Sequence, residues 1–236
     1  MAHGVAPVAT GCVVAAPHEG FDDHTEPMAL DIARRLKTGW VIARDFRKTS
    51  EQRWFDVNRP TQRFWSEGRR GKARVTEVAQ KVYAEYQRRV DAAAGHTPLK
   101  LLIEIHGHAR RVTVEGRRVK LQAIEAATRG FSEEELKALK ARYQKLVAEL
   151  PEEDRVPLYV EQLDPTYVYR GTEVRYYFGA SGSKRAGSMS PERCERALHF
   201  ECPQHVRFSK ERRRKYSALF AQLFRPLVER YSVKPE

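Results

Sequence analysis

The sequence predicts an α/β fold whose sheet is parallel at its centre, and three observations lead to this prediction. An apolar run over residues 9–16 is followed by an amphipathic segment and by a second apolar run at residues 40–43. Strand, helix and strand within about 35 residues form a βαβ unit, and such a unit requires parallel strands. The chain has 236 residues, 41% of them hydrophobic, which is enough for one large domain with a sizeable core.

The first βαβ unit sets the expected boundaries near the N-terminus. Residues 1–8 are expected to be a loose start, and the first strand is expected to cover residues 9–16, where β-branched and small apolar residues predominate. Pro17 has no N–H and is expected to end that strand. Thr25 is expected to cap a helix that runs to about Lys37.

The later elements follow from periodicity and from turn and cap signals. Residues 44–71 form a long irregular loop whose aromatic residues argue against disorder. Ser132 and Glu135 form a capping box that opens a helix to about Leu150. The other expected elements are helices at residues 75–90 and 209–231, strands at 99–108, 112–114, 119–121, 158–160, 173–178 and 197–201, and a flexible segment, a candidate lid, at 179–190.

The charge and the cysteines restrict the classes of partner and compartment. Lys and Arg number 43 against 31 Asp and Glu, a formal charge of +12 that favours anionic partners without identifying them. Cys12, Cys194 and Cys202 have no CxxC spacing, which argues against a disulfide framework or a cysteine-built zinc site. No signal peptide and no apolar run of about 18 residues is present, so we expect a cytoplasmic protein with no membrane partner.

Metal-competent side chains follow three of the predicted strands. If these strands are parallel neighbours, the side chains converge at one edge of the sheet, where open α/β sheets bind ligands. Two imidazoles and a carboxylate are a typical ligand set for catalytic zinc, with another carboxylate as the proton carrier. The structural alternative is that each histidine is a hydrogen-bonded residue without a ligand. The candidates are His18 with Asp22, Asp23 and His24, then His106 with His108, and Glu201.

A second suggestive motif lies in the long loop. Asn58 and Arg59 stand side by side in Asp-Val-Asn-Arg-Pro, residues 56–60. A guanidinium offers a bidentate fork to a carboxylate, and the asparagine adds a donor. The alternative is a surface turn in which Arg59 is solvated.

Five motifs, taken in order, resemble the N-formylglutamate amidohydrolase family and the related poly-γ-glutamate hydrolases, which in turn resemble zinc carboxypeptidases. Together they span residues 16–207, nearly the whole chain. The motifs are Ala16-Pro17-His18-Glu19-Gly20, Asp22-Asp23-His24-Thr25 followed by Met28-Ala29, Asp56-Val57-Asn58-Arg59-Pro60, Glu104-Ile105-His106-Gly107, and Ala197-Leu198-His199-Phe200-Glu201 with Arg207 after it.

The resemblance implies a fold and a set of roles. The fold would be a three-layer α/β fold of the zinc-carboxypeptidase (phosphorylase/hydrolase-like) type, with a mixed, mostly parallel sheet and helices on both faces. Residues 1–236 would form a single catalytic domain. The implied roles are Zn²⁺ ligands at His18, an early acidic residue and His106, general base and acid at Glu201, substrate-carboxylate binding at Asn58 and Arg59, and a substrate or oxyanion contact at Arg207.

Two departures from the family pattern affect the ligand assignment. In zinc carboxypeptidases the acidic ligand stands three residues after the first histidine, and that position is Phe21 here. Asp22 fits the register of the nearer relatives best, and Asp23 is the second choice. The family also often has a serine where this chain has Gly107.

These observations lead to one principal hypothesis and several alternatives. The principal one is a zinc-dependent amidohydrolase that cleaves an amide bond next to a carboxylate, in an N-formylglutamate-like N-acyl amino acid or a glutamyl peptide. A basic nucleic-acid-binding protein is the first alternative, with Trp54, Phe64 and Trp65 available to stack bases. A metal-dependent deacylase of aminoacyl-tRNA and a metal-free interaction module are the others. The substrate, the native metal and the oligomeric state stay open.

Overall fold

The computed structural model describes residues 1–6, 9–48, 53–66 and 69–233. The helices are α1 (Thr25–Leu36), α2 (Glu77–Ala94), α3 (Glu133–Ala148), α4 (Ser181–Ala186), α5 (Gln204–Phe208) and α6 (Lys210–Tyr231), with a short 3₁₀ turn at Glu152–Asp154. The strands are β1 (Ala2–Gly4), β2 (Cys12–Glu19), β3 (Gly39–Arg44), β4 (Arg47–Lys48), β5 (Arg53–Asp56), β6 (Thr61–Gln62), β7 (Trp65–Ser66), β8 (Arg69–Arg70), β9 (Arg74–Val75), β10 (Leu99–His108), β11 (Arg111–Val114), β12 (Arg117–Lys120), β13 (Ile124–Arg129), β14 (Leu158–Val160), β15 (Thr166–Tyr169), β16 (Thr172–Arg175) and β17 (Cys194–Pro203).

The main sheet has seven strands in the order β1-β3-β2-β10-β17-β13-β14. The central strands β3, β2, β10 and β17 are parallel to one another. The strands β1 and β13 run antiparallel to their neighbours β3 and β17, and β14 runs parallel to β13. The expected mixed, mostly parallel sheet is therefore confirmed.

Helices cover both faces of this sheet. Since successive strand side chains point to opposite faces, one set of apolar residues packs against α1, α3 and α6 and the other against α2. Ile103 and Phe200 belong to the first core with Phe220 of α6, whereas Leu102 joins Tyr86 of α2 in the second. The expected three-layer arrangement is confirmed. In the described ranges, no helix has both the length and the apolar character that a membrane span requires.

The strand β2 extends beyond the predicted end. It continues through Pro17 to Glu19, so the prediction that Pro17 ends the strand is wrong. The pairing of β2 with β3 shifts register between Ala16 and Glu19. Such a bulge leaves a residue unpaired, and it tolerates a proline that has no N–H to donate. His18 therefore lies inside an extended segment and not on a free loop.

The start of α1 also differs from the prediction. Thr25 is the first residue of the helix and not its cap. The carboxylate of Glu19 accepts hydrogen bonds from the backbone N–H groups of His24, at 3.2 Å, and Glu26, at 2.6 Å. A carboxylate at this end satisfies unpaired N–H groups and complements the helix dipole. These hydrogen bonds thus connect the end of β2 to the start of α1.

Several later predictions are confirmed and others are corrected. The capping box is present, with Glu135 N donating to Ser132 Oγ at 3.2 Å and Ser132 N donating to the Glu135 carboxylate at 2.8 Å. The hairpin forms as β11 and β12. The strands β1, β13 and β15 were not predicted. In β13 the run Glu-Ala-Ala-Thr gives no clear alternation, and burial between β17 and β14 decides its conformation.

The long segment predicted as an irregular loop forms short antiparallel ladders. The strands β4, β5, β6 and β9 make one small sheet, and β7 pairs with β8. Residues 49–52, 67 and 68 of this segment lie outside the described residues. Trp54 is only 4% exposed, which agrees with the expectation that the aromatic residues order this part of the chain.

Candidate active site

The strands β2, β10 and β17 are neighbours, so their polar carboxyl ends do meet. In the β10–β17 pairing His106 stands opposite Glu201, and Glu104 stands opposite His199. Because residues two apart along a strand face the same side, all four side chains lie on one face. A cavity of about 600 Å³ opens here, and His18, Asp22, His106, His199 and Glu201 line it.

A tight turn brings Asp22 back onto His18. The backbone N–H groups of Phe21 and Asp22 donate to the His18 carbonyl at 3.1 and 2.8 Å. Gly20 has a φ of +87°, a backbone conformation that residues other than glycine rarely adopt. Asp22 is 3% exposed and faces the imidazoles, whereas Asp23 is exposed to solvent. Of the two candidate carboxylates, Asp22 is therefore the one in position to be a ligand.

His18, Asp22 and His106 form a compact group of potential metal ligands. Asp22 Oδ2 lies 3.2 Å from His106 Nδ1 and 3.5 Å from His18 Nδ1. One ligand atom from each residue lies within 4.8 Å of the others. Both ring nitrogens of His18 are buried without a hydrogen-bond partner in the described structure. A buried unpaired nitrogen is costly, so the donor set fits a divalent ion such as zinc.

Two of the three residues in this group have protonation states that suit metal binding, and the third would have to lose a proton. Burial, together with the charge of Arg47, lowers the pKa of His18 to about 4, so its imidazole is neutral at neutral pH. Burial opposes ionisation of Asp22, but the hydrogen bond with His106 and the nearby His18 imidazole outweigh it and lower its pKa. Burial also disfavours charge on His106, yet hydrogen bonds to Asp22 and Glu104 raise its pKa to about 9. A neutral imidazole and an ionised carboxylate are the forms that bind a metal, so His18 and Asp22 are ready to bind and His106 would release a proton on binding.

Glu104 lies at the centre of this group of side chains, and the sequence reasoning quoted it only as part of a motif. It is fully buried. Its carboxylate lies within hydrogen-bond distance of five donors, which are Ser188 Oγ (2.6 Å), Asn58 Nδ2 (3.0 Å), His106 Nε2 (3.2 Å), Tyr86 Oη (3.3 Å) and His199 Nδ1 (3.4 Å). Burial raises its pKa, but the contacts with His106 and His199 outweigh that effect and hold the pKa well below its usual range. Glu104 therefore orients the imidazoles around it.

Glu104, His106 and His199 are also close enough together to hold a cation. The two groups differ in how many hydrogen bonds their potential ligand atoms already form. Glu104 Oε2 already accepts from Asn58 and two imidazoles, whereas neither nitrogen of His18 has a hydrogen-bond partner among the described residues. His18, Asp22 and His106 therefore fit an ion better than the second group does, and Glu104 is placed to hold the imidazoles in position.

Glu201 lies beside the metal-competent group with one oxygen engaged and one unsatisfied. Its Oε1 is 3.1 Å from His199 Nε2, and its buried Oε2 has no partner among the described residues. His199 thus connects Glu104 to Glu201 through its two ring nitrogens. His199 was not proposed from the sequence. The signal that could have identified it is the pair of patterns Glu-x-His in β10 and His-x-Glu in β17.

The predicted carboxylate-binding residues lie on the wall of the same cavity. Asn58 is committed to Glu104, and Arg59 pairs with buried Asp56 at 2.9 Å. Asp56 also accepts from Arg47, and these two guanidinium groups hold its pKa below the usual range although burial opposes this. Two guanidinium groups share one carboxylate, so this wall has a net positive charge. That charge suits an anionic group on a ligand.

The predicted flexible segment at residues 179–190 is packed against this wall. It contains α4, and Ser188, Met189 and Ser190 are buried. A Cβ on Gly182 would lie 2.5 Å from the Arg59 guanidinium, and one on Gly187 would lie 2.3 Å from the Asn58 carbonyl. The glycines here allow close approach, and they are not evidence of a mobile lid.

Arg207 is not among the described residues that line the cavity. It is 3% exposed, and its guanidinium donates to the carbonyls of Cys202, at 3.0 Å, and of Asp23. The same group covers Gly107, where an added Cβ would lie 2.3 Å from it. Arg207 therefore braces the backbone around the site, and its position explains why residue 107 is a glycine.

The two spare histidines are engaged elsewhere. His24 packs edge-on against Phe208, with ring centroids 5.1 Å apart. His108 lines the cavity, but its Nε2 lies 2.8 Å from the Ala123 carbonyl and its Nδ1 accepts from Arg110 N at 3.2 Å. Neither histidine is placed as a metal ligand.

Solved structures with the same fold include an N-formylglutamate amidohydrolase from Ralstonia eutropha JMP134, which has a TM-score of 0.56 and 11% sequence identity over 98% of this chain and 97% of that one. A gene product from Agrobacterium tumefaciens has a TM-score of 0.51 and 12% identity over 97% and 94%. No protein-family model and no curated protein matches the chain. At these identities the similarity shows a shared fold, and it confirms the fold that the motifs led us to expect.

Proposed function

We propose that this chain is a zinc-dependent amidohydrolase that cleaves an amide bond next to a carboxylate, with residues 1–236 as a single catalytic domain. The observation that carries the proposal is the pair of unpartnered ring nitrogens of buried His18 beside Asp22 and His106. The unsatisfied oxygen of Glu201 lies in the same cavity. The fold shared with an N-formylglutamate amidohydrolase adds support.

His18, Asp22 and His106 would hold the zinc ion. The bound ion would lower the pKa of a water molecule and polarise the carbonyl of the scissile amide. Glu201 Oε2 is free to accept the proton of the attacking water and to deliver it to the leaving nitrogen. His199 holds Oε1 and so directs the free oxygen into the cavity.

The substrate class follows from the charge of the cavity wall. Arg47 and Arg59 share Asp56 and leave a net positive charge next to the site. A guanidinium binds a carboxylate through paired hydrogen bonds. We therefore propose an N-acyl amino acid such as N-formylglutamate, or a glutamyl peptide, as the substrate, with Arg59 as the principal contact for its carboxylate.

The test combines metal content with amide hydrolysis. Purified protein should contain about one zinc ion per chain and release free amino acid from N-formylglutamate, and a chelator should abolish this activity until zinc is restored. Glu201→Gln should lower kcat by roughly 10²–10⁴-fold while zinc stays bound. Glu195→Gln, at the exposed opposite end of β17, is the matched control and should keep full activity. Full activity in Glu201→Gln, or in protein free of divalent metal, would refute the proposal.

A further inference from the structure

A second and larger cavity lies apart from the candidate active site. It has a volume of about 790 Å³, lies between α1 and α6, and shares no lining residue with the active cavity. We call it the basic groove. Six cationic side chains line it, against a single carboxylate from Asp31. The six are Arg34, Arg35, Lys37, Lys210, Arg213 and Arg214.

Half of these cations have no side-chain partner among the described residues. Asp31 is already paired with Arg34 and, at 2.9 Å, with Arg35. In the described part of the chain, Lys37, Lys210 and Arg214 are exposed and form no hydrogen bond or ion pair through their side chains. A group of unpaired cations facing one cavity creates a field that attracts anions.

The origin of part of this charge is the basic run at the start of α6. Four consecutive cations, residues 212–215, stand near the positive end of the helix dipole, where they are destabilising. Arg212 and Lys215 are compensated by Asp154, at 2.6 and 2.8 Å. Arg213 and Arg214 instead face the basic groove. Within the described chain Arg213 donates to the Arg207 carbonyl, so an anion in the groove would relieve chiefly the charge of Arg214.

The shape of the groove favours a chain-like anion over a single small one. Its wall follows α1 from Pro27 to Lys37, which corresponds to about 15 Å at 1.5 Å per residue. About five residues of an extended peptide would cover that length. Thr38, which is 4% exposed, also lines the groove, and its hydroxyl has no hydrogen-bond partner among the described residues.

The surface between the cations distinguishes an acidic polypeptide from a nucleic acid. Aliphatic residues such as Leu30 and the exposed Val5 contribute to the lining, and Trp40 is the one aromatic residue there within the described ranges. Gly4 packs against that indole so closely that an added Cβ would lie 2.3 Å from the ring nitrogen. Binding of single-stranded nucleic acid relies on open aromatic faces. We propose that the basic groove docks an extended acidic polypeptide segment with interspersed apolar side chains.

The test uses a fluorescent ten-residue peptide of alternating aspartate and leucine, which contains no glutamyl bond and so does not depend on the proposed catalytic function. Its binding to the full chain is measured by fluorescence anisotropy at low and physiological salt. The triple variant Lys37→Gln, Lys210→Gln and Arg214→Gln should weaken binding at least about tenfold, since three ion pairs are lost. A matched triple variant removes three exposed cations outside the two cavities described above: Arg117→Gln, Arg118→Gln and Lys145→Gln. It should stay within about twofold of the unmodified protein.

Four results would overturn the proposal. They are no binding at low salt, equal losses in the two triple variants, loss of binding in Glu201→Gln, and tighter binding of an oligothymidylate of equal charge through the same three cations. Hydrolysis of N-formylglutamate by the groove variant separates this proposal from the catalytic one, because the groove residues should leave that activity unchanged.

Discussion

The active cavity and the basic groove both collect ionisable side chains, but they hold them in opposite ways. Around the cavity the side chains of His18, Glu104, His106 and Glu201 are buried, so the unpaired atoms of His18 and Glu201 are informative about the ligand. In the groove the cations Lys37, Lys210 and Arg214 are exposed and solvated, so leaving them unpaired costs little. A buried unpaired atom therefore indicates which ligand atom it binds. Exposed charges along a groove indicate mainly the sign of the ligand's charge and the shape of the ligand.

The largest expected effect comes from removing the unpaired ligand in the cavity. His18→Ala should reduce bound zinc from about one ion per chain to a small fraction and abolish amide hydrolysis, because two ligands hold zinc poorly. Metal analysis after gel filtration measures this. His24→Asn is the control, since asparagine tolerates the left-handed conformation of residue 24 and the ring of His24 faces Phe208. Undiminished zinc in His18→Ala would contradict the assigned ligand set.

An intermediate effect is expected for the buried residue that holds the imidazoles. Glu104→Gln retains the shape but replaces an acceptor by a donor facing His106 and His199, so zinc affinity should fall about 10–100-fold. The free energy of unfolding should fall by about 1–3 kcal/mol, as for a disrupted buried network. Competition with a zinc indicator and denaturant titration measure the two effects.

Tyr86→Phe is the control for that experiment, since it removes a single hydrogen bond to the same carboxylate. It should cost about 1 kcal/mol of stability and leave zinc affinity nearly unchanged. If the two variants lowered zinc affinity equally, Glu104 would not be orienting the metal ligands in particular.

The smallest effect is expected where the fold compensates part of the basic run of α6. Hydrogen bonds from Lys215 and Arg212 lower the pKa of Asp154. This lowered pKa adds stability that is present above the ordinary aspartate pKa of about 4 and is lost as the pH falls further. Asp154→Asn should therefore cost about 1 kcal/mol at pH 7, and the difference should shrink below about pH 4. Denaturant unfolding at several pH values measures it, and a difference independent of pH would show that charge is not the cause.

The sequence was most informative where a signal is local. The capping box at Ser132 needs only residues within one turn of helix, and it was predicted correctly. The order of strand, helix and strand predicted the parallel pairing of β2 and β3. The clustering of His18, Asp22, His106 and Glu201 could be expected because parallel strands end at one edge of a sheet.

Other features depend on partners far away in the chain, and sequence reasoning missed them. The role of Glu104 requires five donors contributed by α2, β10, β17 and the segments around Asn58 and Ser188. The resemblance implied a substrate or oxyanion contact for Arg207, and its packing over Gly107 and its hydrogen bond to the Cys202 carbonyl are contacts that the sequence did not indicate. Pro17 was wrongly predicted to end β2. The bulge that accommodates it arises from the pairing of β2 with β3, and the sequence of one strand does not show it.

The sequence by itself determined the α/β class, the central parallel strands and which residue types could carry chemistry. The reason is that hydrophobic periodicity and the order of motifs are properties of the sequence itself. The tertiary structure alone decided which of those side chains are buried together, which atoms are already satisfied and which stay unpaired. The physical reason is that the cost of an unpaired polar atom arises only when packing removes it from water. The distinction between His18, whose ring nitrogens have no hydrogen-bond partner, and Glu104, whose carboxylate is satisfied, is of that kind.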